Sequence, residues 1–388
     1  MGDASEPLFS PPAQFDLGRR HPIRPIADVL CPLSTPAKLG TVDDAFHVLD
    51  PGGKVIRREP MLDLDGCEPP VRVRYRAAPK FVAALGNTAL VGRGVVVTAS
   101  GTVIEDMLAP TALEKHGASE RDGELRFDPQ WFGAEALPVV WFDEPALLMT
   151  GPAEAAFGDW IINFGPRLAL ARAARLNFRV VVRHDPQHRT LELLEALGVP
   201  RDRILFHRAH KVSMFRKLYV ASWPNRDKGS PMAGLFDVYR DLPIRPPPER
   251  IRLYLSREGA VLRPMVNEPQ VREIFVRAGF QVIDPAERSF EEVRRLFSAA
   301  VCLAGPYGSA FHNMVFCGQR LRNLALMPPQ NPRHLTEIGV WHAEHGQSFS
   351  YLQGERLSSA PDDTRWTAPL DRVERAVSAL SRALDAAA

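Results

Sequence analysis

The stretch Val301-Cys-Leu-Ala-Gly305-Pro-Tyr-Gly308-Ser-Ala-Phe-His312-Asn313-Met-Val-Phe-Cys317 limits what this chain can fold into more than any other. Four apolar residues run into a Gly-Pro-Tyr-Gly turn, and helical character begins after Ser309. That pattern reads as a buried parallel strand, a tight loop and a helix start. Open α/β sheets bind ligands at such a place, because the carboxyl end of the strand opens on a crevice. Gly308 lets a ligand approach the backbone, and the N–H groups of Ser309, Ala310 and Phe311 at a helix start favour an anion such as a diphosphate. An ordinary βα turn shares the pattern, and the full dinucleotide fingerprint is missing from it.

The chain has 388 residues, enough for two domains with appendages, and its 45% hydrophobic and 24% charged content is that of a soluble globular protein. A formal net charge of +2, with Arg interleaved among Asp and Glu, gives no general attraction for nucleic acid. Cys31, Cys67, Cys302 and Cys317 are scattered without a CxxC pair, which argues against a disulfide framework or a cysteine metal site and fits a reducing compartment. The start Met1-Gly-Asp-Ala-Ser-Glu-Pro7 has neither a basic n-region nor an apolar h-region, and no window approaches a transmembrane length. The expected location is cytoplasmic, compatible with peripheral contact at the inner membrane.

Residues 1–80 are rich in Pro and Gly and read as an irregular, β-containing N-terminal extension. From Asn87 to Glu105, β-branched runs punctuated by Gly92, Gly94 and Gly101 signal a hairpin or meander. From Phe157 to Ala174 the pattern is one helix, bent near Gly165-Pro166. Strands follow near Phe178–Val182, Arg203–Phe206 and Lys217–Ala221, with Thr190 as cap of the helix between the first two. A Pro-rich break at 241–250 reads as a linker. Beyond it, strands at Ile251–Leu255, Gln281–Asp284, Val301–Ala304 and Leu321–Leu326 alternate with a helix capped by Asn267 and one opened by a Ser289/Glu292 capping box. Such alternation implies an α/β fold with a parallel, doubly wound sheet. The boundaries read as 1–80, 81–245, 246–345 and 346–388, the last a helix with the apolar stripe Leu370, Val373, Val377, Leu380, Leu384 that returns to the first lobe or docks on its neighbour.

The second half resembles the family 61 glycosyltransferases, the group first filed under capsular polysaccharide biosynthesis. The resemblance is carried by Tyr254-Leu-Ser-Arg257, Asn267-Glu268, Ala278-Gly-Phe280, Ser289-Phe-Glu291 and Gly305-Pro-Tyr-Gly308-Ser-Ala-Phe-His-Asn313-Met-Val-Phe316. In the first half, Trp160 with Pro166-Arg167 is similar to the family's His-Trp-Leu-x-Asp-x-x-Pro-Arg helix. Coverage is about residues 85 to 330. Three positions depart from the family pattern: Tyr307 replaces a His, Asp159 a His, and Asn323 a Glu.

The resemblance implies a GT-B architecture of two Rossmann-like lobes facing a cleft, the 81–245 lobe on the acceptor side and the 246–345 lobe on the donor side. It also implies an inverting transfer from a nucleotide sugar, most familiarly a UDP-sugar, to a glycan or glycoconjugate acceptor in bacterial surface polysaccharide synthesis, with no cofactor or metal required. Asp63-Leu-Asp65, which has the spacing of a metal handle, lies only in the irregular extension. Without a metal the departing diphosphate needs protein donors. Arg257 at a strand end suits that work because a guanidinium can grip two phosphate oxygens. Ser309, Ala310 and Gly308 would add backbone contacts, Tyr307 would stack on a base or sugar ring, and His312, Asn313 and Asn323 complete the expected nucleotide-binding set. Plainer roles stand beside these: a surface ion pair for Arg257 and a loop-satisfying amide for Asn313. The general base is expected to be Asp159, with Glu268, His184 and Asp185 as alternatives; each also reads as a capping or turn residue. A catalytically silent scaffold of a polysaccharide assembly complex is the competing reading. A dinucleotide dehydrogenase lacks its Gly-x-Gly-x-x-Gly turn here.

Overall fold

The computed structural model describes residues 13–57, 62–63, 73–108, 113–114, 117–151, 157–224, 231–240, 242, 249–318, 320–329, 332–360 and 363–386. The chain forms two compact units, each built from separated stretches: 1–51, 79–155 and 167–223 in the first, and 52–78, 156–166 and 224–388 in the second.

The first unit is organised on the long strand Lys80–Val91. A turn through Gly92 and Gly94 returns it as Val95–Val97, and it pairs antiparallel with Val212–Ala221 and with Ala45–Asp50. Asn87, at φ 44, interrupts its extended run; a non-glycine residue in that region marks an irregularity in the ladder. Beside Val212–Ala221 lies a parallel block of Ala146–Leu148, Arg179–Arg183 and Ile204–His207. The centres of the first two, Ala146–Leu148 and Val180–Val182, are apolar and buried, as strands covered on both faces must be, whereas Ile204–His207 at the edge leaves Phe206 exposed. Two apolar clusters form the core, one around Leu85, Phe215 and Leu218 and the other around Val91, Phe127 and Val212.

The second unit holds a six-stranded sheet in the order Phe280–Ile283, Ile251–Leu255, Ala300–Pro306, Arg322–Met327, Ser348–Gln353, Leu62–Asp63, with every pair parallel. After Ile251–Leu255 the chain moves to Phe280–Ile283 on one side and then to Ala300–Pro306 on the other. The connections from the two central strands therefore leave in opposite directions, and the topological switch point falls between them. Gly305 makes this neighbourhood possible: its φ is +136, and a Cβ there would lie 2.5 Å from the Leu255 carbonyl oxygen. Ser289 and Glu292 form the expected capping box on the helix Phe290–Ala299.

Several expectations are corrected. Residues 1–80 do not stand apart: Ala45–Asp50 belongs to the first unit's sheet, whereas Leu62–Asp63 is an edge strand of the second. The 157–174 helix is two helices, Phe157–Asn163 and Gly165–Ala173. The Tyr239 hydroxyl donates 2.6 Å to the Ile161 carbonyl and fills the space beside Gly165, while Pro166 supplies no N–H to continue the ladder. The first of these helices lies in the second unit, not in an 81–245 lobe. Thr190 does not cap a helix but sits inside His188–Ala196. Asn267 makes no cap bond, since its side chain pairs with both backbone groups of Ala368. The C-terminal helix Leu370–Asp385 docks within the second unit, burying Val373, Val377 and Leu380 against Val271 and Phe275. The 241–250 break, like Leu64, Asp65 and Cys67, lies largely outside the described residues.

Substituting Gly305 by Ala combines a left-handed backbone with overlap on the Leu255 carbonyl and is expected to cost more than about 2 kcal/mol in chemical denaturation. Gly279→Ala, at φ +80 with open space around it, is expected to cost only about 1 kcal/mol; equal losses would show that the overlap is relieved without cost.

Candidate functional site

Two places collect the candidate residues, one in each unit. In the second unit the site is built at the switch point. Tyr254 ends in the buried sheet, and Ser256 and Arg257 turn over its carboxyl edge. This turn is held by one carboxylate: Glu268 Oε1 accepts from the Arg257 backbone N–H at 2.8 Å, from the Ser256 hydroxyl at 3.1 Å and from the Tyr254 hydroxyl at 3.5 Å. Burial raises the Glu268 pKa, and the donated bonds from Arg257 and Ser256 oppose that rise. A buried carboxylate with three local donors is a positioning group, and Glu268 as the general base is set aside on that ground.

The Arg257 guanidinium crosses to the neighbouring turn. It donates 2.7 Å to the Tyr307 carbonyl and 3.2 Å to the Leu262 carbonyl. A Cβ on Gly308 would collide with it, so only glycine leaves the space that the guanidinium occupies. Burial, and then the charge of Arg263, lower the Arg257 pKa, but an arginine keeps its charge at neutral pH.

After Gly308 the chain forms a 3-10 helix, Ser309–Phe316, in place of the expected α-helix start. The Phe311 N–H is spent on the Gly308 carbonyl. Ser309 is exposed and Ala310 half-buried, while His312 and Asn313 face inward. The Asn313 amide donates to the Ala310 carbonyl at 2.9 Å, and among the described residues its buried Oδ1 has no partner. Tyr307 lies beside Phe311, ring centroids 5.5 Å apart, with its hydroxyl 3.4 Å from His312 Nε2.

The helix Phe157–Asn163 rests on this turn. At Gly158 a Cβ would overlap the Ser309 carbonyl and stand 2.7 Å from His312 Nδ1, so the missing side chain permits the approach. Half-buried Asp159 follows immediately. Burial lowers the His312 pKa, with the Asp159 charge and the Gly158 backbone acting against it, so His312 is neutral at pH 7. Arg257, Tyr307, Gly308, Ser309, Ala310, His312, Asn313 and Asp159 thus belong to one neighbourhood in one unit. Asn323 does not. It sits near the amino end of Arg322–Met327, fully buried, and its amide contacts His342 at 3.0 Å and the Ser348 carbonyl at 3.1 Å.

In the first unit His184 and Asp185 follow the strand Arg179–Arg183 and line a cavity of about 410 Å³ with the Gly92-Arg93 turn, Thr150-Gly151 and the loop from His207 to Lys211. His207 forms the floor, donating from Nε2 to the Gly92 carbonyl at 2.7 Å and accepting the Ser213 hydroxyl on Nδ1 at 2.8 Å. Burial pushes its pKa down to about 4. Reasoning from sequence missed this cavity, although the basic run His207-Arg-Ala-His-Lys211 directly after a strand was visible.

Residues 157–324 match the sequence model of the family described as Glycosyltransferase 61. Over that span the chain is similar to the family 61 glycosyltransferases. The matched span covers less than half of the chain, yet it contains Asp159, Arg257 and the whole Gly305–Asn313 turn. The match supports a glycosyltransferase enzyme. No curated protein matches the chain. Among the described residues no group of three His, Cys, Asp or Glu side chains is placed to hold a metal ion, and no helix is long and apolar enough to cross a membrane.

Removing the Glu268 carboxylate by Glu268→Ala leaves the Arg257 N–H and the Ser256 hydroxyl without their acceptor, an expected loss of about 2–3 kcal/mol in denaturant melts. The conservative Glu268→Gln is expected to retain most of it. The depressed His207 pKa has its own signature. The unfolded chain takes up a proton below pH 6.5 that the folded chain refuses until about pH 4, so stability falls by about 3 kcal/mol across that window as the solution is acidified. Melting curves of His207→Asn against pH are expected to lack that part of the slope.

Proposed function

We propose that this chain is an inverting, metal-independent glycosyltransferase of the GT-B type that moves a sugar from a nucleotide donor, a UDP-sugar, to a glycan or glycoconjugate acceptor of a bacterial surface polysaccharide. The second unit takes the donor and the first unit takes the acceptor. The observation that carries the reading is the Arg257 guanidinium lying across Gly308 at the switch point of an all-parallel sheet, its backbone held by Glu268 and its head by the Tyr307 carbonyl.

The chemistry follows from what a departing nucleoside diphosphate needs. As the acceptor hydroxyl oxygen forms its bond to the anomeric carbon, the bond from that carbon to the diphosphate oxygen breaks and the electron pair leaves with the diphosphate. Arg257 has five N–H donors, of which two are engaged by the Tyr307 and Leu262 carbonyls. The others are available to phosphate oxygens, where a fixed cation stabilises developing charge. The Ser309 hydroxyl stands exposed at the same turn. Asn313 Oδ1, buried and without a partner among the described residues, suits an N–H or O–H of the nucleoside. The general base removes the acceptor's proton from the face opposite the diphosphate. Asp159 is assigned that role because its helix seats against Ser309 and His312. His312, neutral and beside the Tyr307 hydroxyl, sets the orientation of that ring and is not a cation for the diphosphate.

A thermal-shift series against UDP, GDP, CMP and dTDP, with and without Mg²⁺, tests the donor assignment. UDP alone is expected to raise the melting temperature independently of metal, and Arg257→Ala is expected to remove the shift. Stabilisation that appears only with Mg²⁺, or none with any nucleotide, would overturn it. In a transfer assay Asp159→Asn is expected to reduce kcat by about 10²–10⁴-fold with little change in donor KM. An unchanged rate would return the base role to another carboxylate.

A further inference from the structure

The first unit's cavity carries a charge pattern that the donor chemistry does not use. Its lining includes Arg93, Arg183, Arg208 and Lys211 against one carboxylate, Asp185. Among the described residues no carboxylate pairs with Arg93, Arg208 or Lys211. Three exposed cations, Arg93, Arg208 and Lys211, gathered around one concave surface raise its local positive potential and so attract an anion. A volume of about 410 Å³ falls within the range of small-molecule sites, roughly 300–1,000 Å³.

The cavity is also built firmly. Its walls are the loops that follow three neighbouring parallel strands, Ala146–Leu148, Arg179–Arg183 and Ile204–His207, together with the Gly92-Arg93 turn. Gly94, at φ +111, lies so close to Gly151 that a Cβ would be 2.9 Å from its Cα, and His207 ties the Gly92 carbonyl to Ser213. Two lining side chains are held by one aromatic plate. The Arg93 guanidinium lies 5.9 Å from the Trp131 ring centroid, and His210 stacks on Trp131 with centroids 5.6 Å apart and planes 17° apart. Arginine held in this way keeps its planar fork for an oxyanion.

We propose that this cavity is an oxyanion subsite that takes the carboxylate or phosphate of an acidic acceptor sugar, with Arg93, Arg208 and Lys211 as its principal contacts. The proposal rests on the glycosyltransferase reading for calling that sugar an acceptor. His184 and Asp185 stand on the rim, where Asp185 excludes an anion from one side and orients the sugar by accepting its hydroxyls.

Isothermal titration of the full chain with glucuronate, glucose 6-phosphate and glucose tests the subsite, with UDP titrated in parallel. The two acidic sugars are expected to bind at least tenfold more tightly than glucose and to weaken as salt rises. Arg93→Gln with Lys211→Gln is expected to abolish that preference while UDP binding is retained. Arg208→Gln, a single exposed position, supplies a second reading should the double variant fail to fold. Equal affinities for acidic and neutral sugars, no binding of either, or a preference untouched by both variants would overturn the proposal. Retained binding of acidic sugars in a chain that does not bind UDP would leave the oxyanion subsite standing and remove the transferase reading. Preference for glucose 6-phosphate over glucuronate would assign the acceptor's charge to a phosphate, and the reverse to a uronate.

Discussion

Contact of backbone with backbone at Leu255 and Gly305 is the constraint on which the second unit's carboxyl edge depends. Two parallel strands meet there with no room for a Cβ, and the chain leaves them in opposite directions. Everything built above the edge inherits that closeness. Arg257 reaches the Tyr307 carbonyl only because Gly308 offers no side chain, and the helix Phe157–Asn163 reaches Ser309 only because Gly158 offers none. Three glycines thus do for this site what a metal or a long loop does elsewhere: they let charged and polar groups from separate elements share a small volume.

Glu268 shows how the same edge is kept in order. A carboxylate that looks catalytic by its placement after a strand accepts the donors of Tyr254, Ser256 and Arg257 and points the arginine across the turn. Removing its charge from solvent is unfavourable, and the accepted hydrogen bonds offset that cost. His207 plays the equivalent part in the first unit with a neutral ring, bridging a carbonyl and a hydroxyl.

Much of this was legible in the sequence where local signals and tertiary packing agree. The all-parallel sheet followed from alternating apolar strands and helical stripes, and the Ser289/Glu292 capping box appeared as read. The Gly305–Gly308 turn fell at a strand end as its residues imply. The sequence was less informative where long-range partners override local preference. Asn267 has the composition of a helix cap, but Ala368, far along the chain, takes its side chain. Asn323 stands at a position of the resembling pattern, yet its amide is used by His342 and Ser348 within the sheet's own interior. The bend near Gly165-Pro166 is a local signal, but the Tyr239 hydroxyl that donates to the Ile161 carbonyl beside it comes from far along the chain. No local rule contains such partners.

The weaving of the two units bears on the order in which they can form during synthesis. The first unit is complete by residue 223, whereas the second needs its early segment from 52–78, the insertion at 156–166, and a core helix at Leu370–Asp385. On a ribosome that emits residues from the amino end, the first unit can collapse while the second still waits for most of its sheet. Trp160, Ile161 and Ile162, buried in the folded chain, lie in the 156–166 stretch of that later unit and are open to chaperones and to misassembly while it waits. Slow translation between residues 223 and 370 would lengthen that exposure, and a shortened carboxyl terminus would make it permanent.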